Sequence, residues 1–207
     1  MEKAFLEEYL SNPCQASSLP YWKSLSISIL DNMKIIKDID YDKNKYLKYD
    51  DTPYFKMLHS LKKINKPLLR DGFYLANVDT DTFANHINEC YGESVTLNEV
   101  YQYTNRATYD KDLWIAIIND KNEVVASIIG ELDKSIKEGI IEWVQVSKDY
   151  RKQGLGTYLV NELLSRLKNK ASFVTVSGKL NSQSHPLKLY KKCGFVNETI
   201  WHVLKAK

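Results

Sequence analysis

Residues 140–167 decide the fold of this chain, and they read IIEWVQVSKDYRKQGLGTYLVNELLSRL. The segment Ile140–Val146 is rich in β-branched and aromatic residues, which favours a strand. After it, leucines recur every four residues from Leu155 to Leu167, which predicts an amphipathic helix with one face packed on a sheet. A turn over residues 147–156 joins the two. The stretch therefore predicts a strand, a turn and a helix that begins close to a glycine.

The turn has the chemistry of an anion site. Gly154 and Gly156 lie two residues apart, and glycine allows backbone amides to approach a ligand closely. The unpaired N–H groups of a first helical turn, together with the helix dipole, favour phosphate oxygens. Arg151 and Lys152 add positive charge. The turn therefore predicts that main-chain donors hold a pyrophosphate here.

Two familiar nucleotide motifs do not fit this turn. A dinucleotide fingerprint needs a third glycine where this chain has Leu159. A phosphate-binding loop of nucleotide triphosphatases needs Gly-Lys-Ser/Thr, which the turn lacks. The pyrophosphate therefore belongs to another class of ligand.

The distribution of charge also predicts an anionic ligand. The whole chain carries a net charge of +3, but residues 147–192 hold ten bases and only two acids, which leaves −5 for the remainder. A local excess of +8 on an acidic body favours one anionic partner at one place. The alternative, that several of these lysines only solvate helix faces, stays open.

Length and composition predict a soluble domain with an appendage. The chain has 207 residues, of which 43% are hydrophobic and 27% charged. Its longest apolar run, 113–118, is far too short to span a membrane, and acidic residues near the start argue against a secretory signal. Three unclustered cysteines predict reduced thiols and a cytoplasmic location.

The order of predicted elements from Gly72 onward is strand, two helices, three strands, helix, strand, helix and strand. This order predicts a mixed α/β sheet. Before it, Thr52 and Pro53 suggest the cap and first position of a helix, with Phe55 and Leu58 on one face.

Two motifs in the correct order give a family resemblance. Residues 141–146 followed by 150–156 resemble the acyl-CoA-binding motif of the GNAT superfamily of N-acetyltransferases. Asn181 and the block 189–195, with Tyr190 and a final Gly-Phe, resemble the second signature of that superfamily. The resemblance covers about residues 70–207.

The resemblance implies a mixed α+β fold: a central, mostly antiparallel sheet of six to seven strands, flanked by helices. It divides the chain into an N-terminal extension packed on the domain, residues 1–69, and an acetyltransferase domain, residues 70–207. In this family the fourth and fifth strands of the domain part, and the pantetheine arm of acetyl-CoA lies in the gap.

Carried over to this sequence, the resemblance implies a set of cofactor-binding and catalytic positions. The backbone near Gln145 and Val146 would bind the arm, and Asn181 would touch the arm from the far side. The pyrophosphate would be wrapped by Arg151, Lys152, Gln153, Gly154, Leu155 and Gly156. Tyr190 would protonate the leaving thiolate, and Glu142 would serve as the general base. No metal is implied.

Several of these assignments have alternatives. Glu131 and Asp133 are rival bases, because a bulge in the strand would change where Glu142 points. Tyr190 could instead pack between helix and sheet. His86 and Cys90 share a helix face but have no further ligands, which favours a core role over a metal site.

A second pair of reactive residues fits catalysis less well. Cys193 with His185 could form a nucleophile and its base. However, the C-terminal end of a helix disfavours a thiolate at Cys193.

The leading hypothesis is an N-acetyltransferase, an acyltransferase that moves an acetyl group from acetyl-CoA directly to a primary amine in a ternary complex. The alternative is a non-catalytic acyl-CoA-binding or interaction module. Nucleic-acid binding through the basic region is disfavoured by the acidic remainder. The acceptor, a small molecule or a peptide, stays unidentified; Tyr101, Tyr103 and Trp143 could form an aromatic wall for it. A membrane partner is not expected, and a homodimer is left open.

Overall fold

The computed structural model divides the chain into two compact units. The central unit contains residues 60–174, and the terminal unit contains residues 1–59 together with 175–207. The structure describes residues 3–16, 31–92, 94–182 and 184–207. Residues 1, 2 and 17–30 of the predicted extension lie outside the described residues, and the predicted domain boundary at residue 70 stays a prediction.

The described residues form eight strands and five α-helices. The strands are β1 (Met33–Lys37), β2 (Tyr49–His59), β3 (Phe73–Ala76), β4 (Trp114–Asn119), β5 (Val124–Asp133), β6 (Glu138–Val146), β7 (Phe173–Lys179) and β8 (Val196–Ala206). The helices are α1 (Lys3–Ser11), α2 (Thr80–Tyr91), α3 (Leu97–Tyr103), α4 (Leu155–Leu167) and α5 (Pro186–Lys192). The predicted mixed, mostly antiparallel sheet flanked by helices is confirmed. It has eight strands because the first 59 residues add β1 and β2 to the six strands predicted beyond Gly72.

The central unit is an antiparallel run of strands in the order β3-β4-β5-β6. Its first helix, α2, begins where the Asp79 side chain accepts from the N–H of Thr82. The next, α3, begins with a complete capping box between Thr96 and Glu99. A buried cluster on α2, α3, β4 and β5 forms one layer of the core; it consists of Phe83, Ala84, Ile87, Val100, Ala116 and Ile129.

The predicted leucine stripe of α4 is confirmed, since Leu155, Leu159, Leu163 and Leu167 are all buried. The helix lies very close to β5. A Cβ added at Gly130 would come within 2.7 Å of a Leu163 methyl carbon. This close approach fixes where the first turn of α4 sits relative to the end of β6.

The strands of the terminal unit follow the order β1-β8-β2-β7. The helix predicted from Thr52 onward is wrong, because these residues form β2, antiparallel to β8. The apolar spacing that suggested a helix face belongs to a strand buried on both sides, with Phe55, Lys56 and Met57 all almost inaccessible. Pro53 fits the strand, and its carbonyl accepts from the N–H of Leu180 at 2.9 Å.

A histidine holds the N-terminal strands of this unit to β8. His202 lies 2.9 Å from Asp51 through Nδ1 and 3.0 Å from Asp38 through Nε2. Its ring stacks on Tyr41 with 3.7 Å between centroids. Because carboxylates only accept hydrogen bonds, a ring nitrogen that carries a hydrogen donates to the carboxylate that it faces. His202 therefore joins β8, β2 and the segment after β1.

We expect His202→Leu to lower the free energy of unfolding by about 2 kcal/mol, because it removes the polar contacts of the ring with Asp51 and Asp38 and its stacking on Tyr41. Urea unfolding measures the difference. Lys205→Leu, an exposed position of the same strand, is the matched control and should change little. Equal unfolding midpoints for His202→Leu and the unaltered protein would contradict this role.

Candidate active site

The register of β5 and β6 determines which backbone groups of β6 point outward. The N–H of Ser147 donates to the carbonyl of Val125 at 2.9 Å, so these two residues form a hydrogen-bonded pair. Such pairs alternate with non-hydrogen-bonded pairs along an antiparallel ladder. Val146 and Val144 therefore occupy non-hydrogen-bonded positions, and their N–H and C=O groups point away from β5.

Two side chains already contact these outward carbonyls. Arg151 Nε donates to the carbonyl of Val146 at 3.0 Å, and the Tyr91 hydroxyl donates to the carbonyl of Val144 at 2.5 Å. The Tyr91 ring also packs against Trp143, with 5.8 Å between centroids. The outward edge of β6 is thus a row of main-chain polar groups that side chains from α2 and from the following turn can reach.

Glu142 is the extra residue of a β-bulge. Trp143 lies opposite Ile129 and Ile141 lies opposite Gly130, which leaves Glu142 without a cross-strand partner position. A bulge breaks strict alternation, so the side-chain direction of Glu142 does not follow from Val144 and Val146. Its carboxylate lies close enough to Arg106 to help raise the pKa of that guanidinium.

The two rival carboxylates at the end of β5 have other partners. Glu131 is 1% exposed, and it accepts from Arg106 at 2.7 Å and from the Thr108 hydroxyl at 2.8 Å. Asp133 accepts from both the N–H and the hydroxyl of Ser135. Glu131 is thus a member of an ion pair, and Asp133 shapes the turn that leads to β6.

The turn between β6 and α4 presents a row of unpaired main-chain donors. After a short 3₁₀ turn at Lys148–Tyr150, the chain takes left-handed conformations at Lys152 (φ 62°) and Gly154 (φ 90°). In the described chain no protein acceptor contacts the N–H groups of residues 152–156. No atom lies within 4 Å of a Cβ added at Gly154. The end of the turn and the start of α4 therefore offer five adjacent N–H groups, with open space at Gly154.

A buried polar network supports β6 from the side of α2. The Gln145 amide donates to the Ser127 hydroxyl, and that hydroxyl lies 2.8 Å from His86 Nδ1. His86 Nε2 lies 2.9 Å from the Ser147 hydroxyl, and burial lowers the pKa of the ring. The backbone of Gln145 pairs with Ser127 on β5, so this residue contributes a buried side chain rather than outward backbone groups.

His86 and Cys90, for which the sequence favoured a core role over a metal site, both belong to this network. Cys90 Sγ lies 3.6 Å from His86 Nε2, and burial raises the pKa of the thiol to about 11. Both His86 nitrogens face serine hydroxyls. Among the described residues, no group of three or more His, Cys, Asp or Glu side chains could hold a metal.

An open cavity of about 800 Å³ lies between α2 and the segment 147–150, next to the same network. Its polar lining includes Asn85, Glu89 and Lys148. This cavity gives the polar network a route to solvent, since His86 and Ser147 both line it.

The remaining predicted residues belong to the terminal unit. Tyr190 is 5% exposed, and its ring contacts Phe55 and Phe195 at centroid distances of 5.9 and 5.5 Å. Asn181 is exposed in the turn after β7. Cys193 is buried at the end of α5, and burial raises the pKa of its thiol to about 11, which opposes a role as a thiolate nucleophile.

Of the three residues predicted to form an aromatic wall, Tyr103 and Trp143 are in contact. Trp143 Nε1 donates to the Tyr103 hydroxyl at 3.3 Å, and both rings pack against the apolar cluster of α2 and α3. Tyr101 is 54% exposed on α3. The Tyr91 ring also packs against Trp143. The Arg106 guanidinium lies 3.5 Å above the centre of the Tyr103 ring.

A comparison with protein-family models shows to which family the chain belongs. The model of the Acetyltransferase (GNAT) family matches residues 80–195, more than half of the chain. The chain belongs to this family. The matched region begins at α2 and ends just after α5, so it includes the turn, β6 and Tyr190.

Solved structures of GNAT proteins resemble this one in fold. A GCN5-related N-acetyltransferase from Sphaerobacter thermophilus has a TM-score of 0.70 and 17% identity, covering 83% of this chain and 58% of that one. The ribosomal-protein-S18-alanine N-acetyltransferase from Escherichia coli has a TM-score of 0.51 and 13% identity, covering 65% and 93%. A chain of the NatC complex bound to Gag peptide and CoA has a TM-score of 0.53 and 14% identity, covering 65% and 98%.

These identities are low enough that the structural likeness shows the fold alone. This chain spans only 58% of the length of the Sphaerobacter protein. No curated protein matches the sequence. Membership of the family supports acyl transfer from acetyl-CoA in general terms. In the described part of the chain, no helix is long and apolar enough to cross a membrane.

Sequence reasoning missed three residues of this region: Tyr91, Arg106 and Ser127. Each acts through a contact with a residue at least 18 positions away. The opposite charges of Arg106 and Glu131 are visible in the sequence. However, the spacing between a loop residue and a strand residue does not predict that they form an ion pair.

The lowered pKa of His86 makes a testable prediction about stability. Because burial favours the neutral ring, the unfolded chain binds more protons below about pH 6.5, so stability falls as pH falls from 7 to 5. We expect His86→Gln to flatten this dependence in thermal unfolding. His185→Gln, at an exposed position, is the control and should keep the slope of the unaltered protein. An unchanged slope in His86→Gln would contradict the prediction.

Proposed function

We propose that this protein is an N-acetyltransferase that transfers an acetyl group from acetyl-CoA directly to a primary amine in a ternary complex. The observation that carries the proposal is the row of free N–H groups at residues 152–156, within the region that matches the family. The strand, the glycine-containing turn and the packed helix α4 together hold several main-chain hydrogen-bond donors close to one another, and a diphosphate can accept from these donors.

The diphosphate fits the turn on three grounds. Five adjacent N–H groups have no acceptor among the residues that the structure describes, and the dipole of the 13-residue helix α4 favours negative charge at its N-terminus. The space above Gly154 is open. Arg151 and Lys152 are exposed and add charge. Gln153, Leu155 and Gly156 complete the set that we assign to the cofactor, and buried Leu155 anchors the turn to the core.

The arm of the cofactor would lie along the outward edge of β6. Val146 offers its N–H and C=O there, and Gln145 holds the strand in place through Ser127 from the opposite side. We assign Asn181 a contact with the arm as well. Arg151, which now donates to the Val146 carbonyl, can turn to the diphosphate without a change in the backbone.

The acyl transfer requires two proton movements. The amine nitrogen forms a bond to the thioester carbonyl carbon, the C–S bond breaks, and the thiolate gains a proton. We assign Glu142 to accept the proton of the amine, directly or through water, and Tyr190 to donate a proton to the thiolate. The outward N–H of Val146 stabilises the oxyanion. Alignment of the two reactants supplies the remainder of the acceleration.

The acceptor is a small molecule or a peptide that carries a primary amine. We place the protein in a reducing compartment, the cytoplasm, since its three cysteines are odd in number and unclustered in the sequence. Residues 70–207 are proposed to hold all the groups named above, with residues 1–69 as an extension.

Measuring the affinity for CoA tests whether the turn between β6 and α4 binds the diphosphate. Titration calorimetry should show one binding site for CoA, and Gly154→Ala should weaken it at least tenfold, because the new Cβ enters the diphosphate space and strains a residue at φ 90°. Gly92→Ala is a matched control: Gly92 also has a positive φ, 79°, and open space around its Cβ. Alanine is strained at this position too, but the variant should keep its CoA affinity. Equal affinities for both variants would contradict the assignment.

Acetyl transfer tests the chemistry. Release of free CoA thiol from acetyl-CoA is followed with a panel of amines that includes spermidine, an arylalkylamine, an amino acid and a short peptide with a free N-terminus. With an accepted amine, Glu142→Gln should lower kcat by about 10²–10⁴ while CoA affinity is retained. Glu7→Gln, an exposed carboxylate of α1, should leave kcat unchanged. Tight CoA binding without turnover of any amine would favour the non-catalytic acyl-CoA-binding module.

A further inference from the structure

The Tyr91 hydroxyl occupies the main-chain carbonyl that an arm lying along β6 would reach next after Val146. We propose that Tyr91 is a specificity-determining residue that closes this edge of β6 and restricts the acyl group of the cofactor to a short chain. The inference rests on the proposed function, because it takes the arm to lie along the outward edge of β6. It goes further by naming the residue that selects acetyl-CoA over acyl-CoA with a longer chain.

The position of the turn fixes the direction in which the arm would run. The proposed diphosphate site at residues 152–156 follows the carboxyl end of β6. An arm that leaves this site along β6 therefore passes Val146 first and Val144 second. Both residues point their N–H and C=O groups away from β5. Two residues of a strand span about 7 Å, so Val146 and Val144 mark the two ends of a short stretch of edge.

The phenol of Tyr91 lies at the far end of this stretch. Its hydroxyl donates to the Val144 carbonyl at 2.5 Å, and a donor to an outward carbonyl lies beside the edge of the strand. Tyr91 is 46% exposed, so part of its surface is available to a ligand. Since the thioester carbonyl is assigned to the Val146 N–H, the stretch has room for the thioester and a methyl group, whereas a longer acyl chain meets the phenol.

Tyr91 is held in this place by more than its hydroxyl. Its ring packs against the ring of Trp143, with 5.8 Å between centroids, and Trp143 in turn packs against the buried cluster of α2 and α3. Tyr91 is also the last residue of α2. The chain beyond it folds back on Asn88, whose side-chain oxygen accepts from the N–H groups of Ser94 and Val95, each at 3.0 Å. The phenol therefore belongs to a packed corner of the central unit.

Arg151, the other side chain on this edge, is held less firmly. Its Nε donates to the Val146 carbonyl at 3.0 Å, but the side chain is exposed. An arm can displace this side chain by replacing one hydrogen bond, whereas displacing Tyr91 also breaks its packing on Trp143. We therefore expect Arg151 to leave the edge when the cofactor binds and Tyr91 to stay.

Comparison of acyl-CoA substrates measures the selectivity. With an accepted amine, the unaltered protein should have a kcat/KM for acetyl-CoA at least tenfold higher than for butyryl-CoA, because two further methylene groups do not fit. Tyr91→Ala should raise the ratio of the butyryl-CoA value to the acetyl-CoA value at least tenfold, since it opens the end of the stretch.

Two further substitutions at this position separate the ring from its hydroxyl. Tyr91→Leu keeps an apolar contact with Trp143 and removes the outer part of the ring, so it should shift the ratio in the same direction even if the alanine variant is unstable. Tyr91→Phe keeps the ring on Trp143 and should retain most of the preference for acetyl-CoA.

Tyr74→Ala is the matched control. Tyr74 is a tyrosine of β3 with a similar exposure, 52%, and its hydroxyl also donates one hydrogen bond, to Asp120 at 3.0 Å. This variant should keep the acyl-CoA ratio of the unaltered protein. An unchanged ratio in folded Tyr91→Leu, or a change confined to the KM of the amine, would overturn the inference.

Calorimetry without an amine separates this inference from the proposed function. In Tyr91→Ala the affinity for butyryl-CoA should rise relative to the affinity for CoA, which has no acyl group. Failure of CoA to bind the unaltered protein would remove the proposed function and this inference with it. Binding of CoA, with the same relative affinities for acetyl-CoA and butyryl-CoA in both proteins, would remove this inference alone. If CoA binds but no amine is acetylated, the affinity ratios still decide the role of Tyr91.

Discussion

The packing of α4 against β5 and β6 is the constraint on which the rest of the structure depends. Leu155, Leu159 and Leu163 are completely or almost completely buried, and glycine at position 130 lets the helix approach the strand to a distance that no side chain would allow. This packing fixes the start of the helix at the end of β6. A helix whose first N–H groups cannot find intrahelical acceptors then presents them at a defined place. The anion site is a consequence of hydrophobic packing combined with backbone geometry.

Polar side chains hold β6 in place near both ends of the strand. At its carboxyl end, the network from Gln145 through Ser127 and His86 to Ser147 satisfies polar groups that burial would otherwise penalise. Arg106 and the buried Glu131 form a partly buried ion pair that ties the loop after α3 to the end of β5. The hydrogen bonds of the Gln145 network link β6 to β5 and to α2, which holds the strand in one position. A strand fixed in this way can align two reactants.

Local patterns predicted the central unit well. The leucine period predicted α4, and the β-branched and aromatic residues of 140–146 predicted β6; each signal lies within a few neighbouring residues. The sheet class was predictable for the same reason. The placement of a bulge at Glu142 could be anticipated only as a property of the family, because it depends on pairing with β5.

Prediction failed where distant residues decide the conformation. The segment from Thr52 to Leu58 has spacing compatible with a helix, yet pairing with β8, nearly 150 residues later, makes it a strand. Tyr91, Arg106 and Ser127 went unnoticed because their partners lie on other elements. The roles of Glu142, Tyr190 and Asn181 came from resemblance to a family, and they stay proposals until they are measured.

Amide hydrogen exchange with and without acetyl-CoA tests the central claim most directly, since the claim concerns individual N–H groups. In the described part of the free protein the amides of residues 152–156 have no acceptor, and they should exchange rapidly. Addition of acetyl-CoA should slow exchange at these residues and at Val146 more than anywhere else in the central unit. Unchanged exchange at 152–156 while the ligand is bound, with protection confined to other segments, would contradict the account.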